Sequence, residues 1–194
     1  MTPTPPAPDR ALPEEQDRDG RSDTLGLLGR IGQDWQRVRP DLDTRPMLTG
    51  LLLDRLGSAF ARHVGQTYSA SGLNSSNWDL LLTLLRSAPP EGLTHTELSE
   101  LTAISGPSMT NRVGRLLEKG LVERVVSEKD RRSALVRLTR EGRALVEQLL
   151  PQHIAREQEA LSALSPEELD VLTQVAVKLV NHLEDAERRG GPAT

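Results

Sequence analysis

Apolar residues recur along most of this chain at helical spacing, and the rhythm changes to strict alternation in one place only. Between Asp23 and Val38, Leu28, Ile31, Trp35 and Val38 fall at three- and four-residue steps, which predicts an amphipathic helix stopped by Pro40. A second, longer helix is predicted from Pro46, with Leu48, Leu52, Leu56, Ala59, Phe60, His63 and Val64 along one side, ending at Ser69 to Gly72. Ser75 to Ser87 is the next, capped by Ser75 or Ser76 and closed by Pro89-Pro90. Thr94 with Glu97 has the form of a capping box and opens a short helix through Leu98 and Leu101 that ends near Ala103. From about Gly106, the spacing of Met109, Val113, Leu116 and Leu117 predicts another helix, with Lys119-Gly120 as its stop. Leu121 to Val126 and Ala134 to Leu138 alternate around the charged turn Ser127 to Arg132, the pattern of a β-hairpin. Thr139 then caps a long helix carrying Leu145, Val146, Leu149, Leu150 and Ile154, which Pro151 should kink rather than end. Ser165-Pro166-Glu167-Glu168 starts the last helix, with Leu169, Leu172, Val175, Ala176, Leu179 and Leu183 on its apolar side.

Two short helices joined by a turn and followed by a hairpin make a winged helix-turn-helix, so the expected fold is mainly α with a small β-hairpin wing. The second of the two helices presents Ser108, Thr110, Asn111, Arg112 and Arg115 away from its apolar stripe. In the major groove an Arg can bond a guanine edge bidentately and an Asn an adenine edge, although a polar face is also what any solvated helix shows. The hairpin tip adds Lys129, Arg131 and Arg132, able to enter the narrow, electronegative minor groove beside it.

Charge sharpens the picture. Residues 94–140 hold nine Lys or Arg against six Asp or Glu, a balance of +3 in a chain of net charge −4, which leaves −7 on the rest. A cationic module inside an acidic protein marks the surface that meets a polyanion. No transmembrane run or secretory h-region is present, and the expected location is cytoplasmic. The chain has no Cys, which excludes disulfides and zinc fingers, and its four His form no close ligand pair; no metal site and no cofactor are expected. Gly-x-Ser-x-Gly, P-loop and His-Glu-x-x-His motifs are all missing, so no catalytic residues are assigned and an enzyme is not expected. The rival reading is a protein-interaction module that keeps the winged-helix shape without binding DNA.

Three motifs resemble the MarR family of transcription regulators: Ser108-Met109-Thr110-Asn111-Arg112-Val113, Leu116-Leu117-Glu118-Lys119-Gly120-Leu121-Val122, and Asp130-Arg131-Arg132 through Leu138-Thr139-Arg140-Glu141-Gly142. The resemblance spans about Pro46 to Glu184 and implies a homodimer on a near-palindromic operator in double-stranded DNA, with Arg132 of the wing in the minor groove. A narrower resemblance, carried by Trp35, the run Arg39-Pro40-Asp41-Leu42-Asp43, and Trp78-Asp79-Leu80-Leu81, is to the branch that responds to urate. It implies an added N-terminal helix and a ligand site for a small aromatic or purine anion such as urate, formed by Trp35, Asp79, Arg112 and Arg124. Read from the residues alone, Trp35 also fits simple core packing, and Asp79 also suits the favourable electrostatics of a helix start.

The resulting organisation is a disordered, Pro- and charge-rich tail at 1–22, N-terminal helices at 23–72, a winged helix-turn-helix DNA-binding module at 73–140, dimerisation helices at 141–188 and a flexible tail at 189–194. The expectation is a homodimeric repressor released from its operator by a small organic anion. The dimer is also expected on physical grounds, because a module of 60 to 80 residues cannot cover three further long apolar stripes.

Overall fold

The computed structural model describes residues 23–102, 108–126 and 134–190. Its elements in chain order are α1 (Thr24–Val38), α2 (Arg45–Ser69), α3 (Ser75–Ser87), α4 (His95–Leu101), α5 (Met109–Glu118), β1 (Val122–Val126), β2 (Ala134–Leu138), α6 (Arg140–Leu161) and α7 (Pro166–Gly190). Two compact units divide at Arg55, within α2. The expected tail at 1–22 and the hairpin tip lie outside the described residues.

In the first unit α1 is capped by Asp23, whose carboxylate accepts from the Gly26 amide at 2.8 Å, and it closes where the Arg39 amide donates to Trp35. The Pro40 break then leads through two local ion pairs, Arg39 with Asp41 and Arg45 with Asp43, each at 2.7 Å. The pairing with Arg45 holds the Asp43 carboxyl down to about 2. No residue of α1 is buried.

The second unit has its core around α3. Leu80, Leu81 and Leu84 are sealed against Leu98 of α4, Val113 and Leu116 of α5, Val136 of β2 and Val146 of α6. The cap of α3 is Asn74, accepting from the Asn77 amide at 2.8 Å, and not Ser75 or Ser76. Asn is among the best N-cap residues, and Ser76 faces the interior. The capping box of α4 is present in both directions, Glu97 to the Thr94 amide at 2.7 Å and Thr94 to the Glu97 amide at 3.2 Å. The two strands pair antiparallel, Val122 opposite Leu138 through Val126 opposite Ala134, and Leu93 bridges to Val136 as a short third partner.

The junction between α5, the sheet and α6 is close-packed. Gly120 ends α5 at φ +66°, a conformation that favours glycine. Thr139 then donates from its hydroxyl to the Gly120 carbonyl at 2.7 Å while accepting from the Gly142 amide at 3.0 Å. A methyl group on Gly142 would fall on the Leu121 carbonyl. Pro151 lies inside α6 without ending it, as its apolar spacing predicts. In α7 the expected box is formed, Ser165 and Glu168 exchanging bonds at 2.8 and 3.2 Å, and the helix runs through Gly190.

The glycines generate a contrasting pair of predictions. Gly142→Ala should destabilise by about 1–3 kcal/mol through the overlap with backbone, whereas Gly57→Ala, with open space around its added methyl in mid-helix, should stabilise by up to about 1 kcal/mol. Urea titration at one fixed protein concentration checks both, and shifts of equal sign would contradict the packing described.

Candidate nucleic-acid interface

The helix-turn-helix is built from α4 and α5, with α3 as the wall behind them. On α5 the positions Met109, Val113 and Leu116 turn inward, and Ser108, Thr110, Asn111 and Arg115 are exposed. Arg112 departs from the expectation that all five polar residues share the outer face. It is 4% exposed, because positions 109, 112, 113 and 116 form one helical face, and Arg112 therefore points to the interior side. Its Nη1 donates to the Thr102 hydroxyl at 3.4 Å, just after α4. Ser108 is the N-cap of α5 by position, but its side chain makes no capping bond and stays available on the outer face.

Asp79 is 5% exposed on α3, the helix that packs directly on α5. Asp79 and Arg112 are the buried carboxylate and the buried guanidinium among the described residues. Isolated buried charges are costly, so a protein retains them where each meets compensating polarity. Arg124 stands exposed on β1, and its neighbour Glu123 accepts from Arg137 across the sheet at 2.7 Å. Trp35 is half-buried on α1, in the first unit. Lys129, Arg131 and Arg132, the expected wing contacts, lie outside the described residues. A cleft of about 290 Å³ lies at the end of α2, lined by residues that include Arg62, Gln66, Tyr68 and Ser75; none of the four expected ligand residues is among them.

Two features were not anticipated from the sequence. Arg86, in the last turn of α3, donates from Nη2 to the Leu101 carbonyl at 2.6 Å, joining α3 to the end of α4. Tyr68, Trp78 and His153 form an aromatic cluster, Trp78 lying 5.6 Å from the Tyr68 ring and 5.3 Å from the His153 ring. The separation in sequence hid both, since neither partner is within a turn of the other.

Local electrostatics follow from burial. The imidazole of His95 is pushed below its usual range by burial and then by the Arg124 charge, and that of His153 by burial against a smaller opposing pull from Glu157. The Glu97 carboxyl is held low by the backbone and hydroxyl bonds of Thr94.

Comparison with known proteins agrees with this geometry. The MarR family model matches residues 71–133. The HTH-type transcriptional regulator PecS of Dickeya dadantii is 33% identical over 79% of this chain and 92% of its own length. The HTH-type transcriptional repressor YetL of Bacillus subtilis is 30% identical over 62% of this chain and 72% of its own. Among solved structures, Bordetella bronchiseptica BpsR, whose DNA binding is regulated by 6-hydroxynicotinic acid, superimposes with a TM-score of 0.58 at 27% identity, covering 68% of this chain and 91% of that one.

A pH prediction follows from the two histidines. Both have folded-state values below the ordinary imidazole pKa of about 6.5, so the unfolded chain binds more protons below that pH, and stability present above it is lost as pH falls through it. The urea midpoint, followed by Trp fluorescence at fixed protein concentration, should drop between pH 7.5 and 5.5. His153→Phe should reduce the drop, with the His95 share left; a midpoint equal at both pH values in the unsubstituted protein would refute the assignment.

Proposed function

The chain belongs to the MarR family of winged-helix, DNA-binding transcription regulators, and we propose that it is a homodimeric repressor released from a near-palindromic operator by a small organic anion. The observation that carries the DNA side of this reading is the exposed row Ser108, Thr110, Asn111 and Arg115 on a helix whose other face is sealed into the core. These side chains meet base edges, while Lys129, Arg131 and Arg132 of the wing hold phosphates or the minor groove and set register. Arg124, exposed on β1, adds to the cationic surface on the wing side.

The dimer is supported by apolar faces left open in the protomer. On α7, Val171, Leu172, Val175, Leu179 and Leu183 are 39–59% exposed, and on α2, Leu51, Leu52, Leu53 and Leu56 are 41–52% exposed. Apolar surface on this scale is what a second copy covers. Two copies related by a two-fold axis present two reading helices, which requires half-sites about 10 bp apart.

On the ligand side, the site comprises Trp35, Asp79, Arg112 and Arg124. The burial of Arg112 favours a role there over one at base edges. A planar anion supplies negative charge that competes with Asp79 for guanidinium partners, and it releases DNA only to the extent that it binds the DNA-incompetent arrangement of the reading helices more tightly. Urate or another purine anion is the first candidate, and the response of BpsR to 6-hydroxynicotinic acid supports the wider class of planar ring anions.

The DNA reading is tested by fluorescence anisotropy on the chain's own upstream region at several salt concentrations. Arg115→Ala should weaken binding by about 1–3 kcal/mol and relax sequence preference, and unaltered affinity would remove it from the reading role. The ligand reading is tested in a Trp78→Phe background, where Trp35 reports alone. Urate, xanthine or an aromatic acid should quench it saturably and displace DNA over the same concentration range; quenching by none of them would defeat the ligand proposal and leave the DNA reading intact.

A further inference from the structure

We propose that Arg86 is a positioning residue for DNA recognition, fixing how the reading helix enters the groove by holding the end of α4 against α3. The proposal rests on α5 being the reading helix. Arg86 reaches across 15 residues to donate to the Leu101 carbonyl at 2.6 Å. Carbonyls in the last turn of a helix have no donor further along it, and a charged donor there also offsets the negative end of the helix dipole. Among the described residues the Arg86 guanidinium bonds this carbonyl and no carboxylate.

The position of that bond gives it consequence. The start of α4 is held by its own capping box. Its end, from which the chain turns toward α5, is held from outside by two arginines: Arg86 of α3 on Leu101 and Arg112 of α5 on the Thr102 hydroxyl at 3.4 Å. Ser108 gives α5 no side-chain cap, so in this proposal the anchoring of residues 101 and 102 steadies the N-terminal end of α5. The base to which Arg86 anchors them is the most deeply buried helix of the unit, with Leu80 and Leu81 fully buried and Leu84 nearly so. Arg86 itself is exposed, so truncating its side chain removes the tether and almost none of the core.

Three variants and two readouts test this. Arg86→Ala should weaken binding to upstream-region DNA about five- to tenfold, the order expected for the loss of one hydrogen bond at an exposed site. The slope of affinity against salt should stay unchanged, because no phosphate contact is lost, whereas a direct phosphate contact would lower it by about 1. Hydrogen exchange of the free protein should accelerate in the first turn of α5, from Ser108 to Arg112, and not in α3 or α6. Arg86→Lys should recover most of the affinity and the protection, since an ammonium can donate to the same carbonyl. Wild-type affinity and exchange in Arg86→Ala beside a weakened Arg115→Ala would overturn the Arg86 role alone. A lowered salt slope, or no recovery by Lys, would overturn it in favour of a phosphate contact or a purely structural part. Wild-type binding by both Ala variants would overturn the reading-helix assignment along with it.

Discussion

The burial of α3 is the interaction on which the second unit depends. Its apolar residues meet α4, α5, β2 and α6 at once, so one helix is the common wall behind the second helix of the helix-turn-helix, the second strand of the hairpin and the long helix that leads away from them. Each fully buried Leu contributes about 1.5–3 kcal/mol of transfer free energy, and the three leucines of α3 lie at the centre of the network. Close-packed interiors do not deform continuously. A displacement of α3 therefore moves its neighbours as a group, which is the mechanical precondition for linking an event at Asp79 to the position of α5.

Charge is placed against that wall in a way packing alone would not favour. An interior acid on α3 and an interior Arg on α5 each carry a desolvation cost of several kcal/mol, in a unit whose other sealed positions are mostly Leu and Val. Groups of this kind define states in which small changes in nearby charge are strongly felt. The exposed residues of α5 lie on the opposite side of the same helix, so the outer face and the buried charge share one rigid element about three turns long.

Outside this core the chain is poor in means of covering itself. Aromatic residues make up only 2% of the sequence, and α7 carries an apolar stripe with no buried position along it. Leucines and valines at helical spacing form long helices but not a closed surface, and the uncovered stripes follow from that composition.

Periodicity together with caps and Pro or Gly stops located the helices and strands of the described residues, because these are local properties that tertiary packing here did not override. The capping box at Thr94, the Gly120 stop and the Ser165 start were equally local. The cap of α3 lies one residue before Ser75 and two before Ser76, since all three are competent caps and no local signal chooses Asn74 among them. Arg112 was legible in principle, lying at helical spacing from Met109, Val113 and Leu116, but its charge suggested the outer face. The bond from Arg86 to Leu101 and the cluster of Tyr68, Trp78 and His153 had no local sign at all. The sequence by itself determined which segments are helix or strand, where most of them start and stop to within a few residues, and which module carries the positive charge, all of which depend on neighbours within a turn or two. The tertiary structure alone decided which polar side chains are removed from water and which distant backbone groups they hold, because burial and long-range hydrogen bonds depend on how separate helices meet in space.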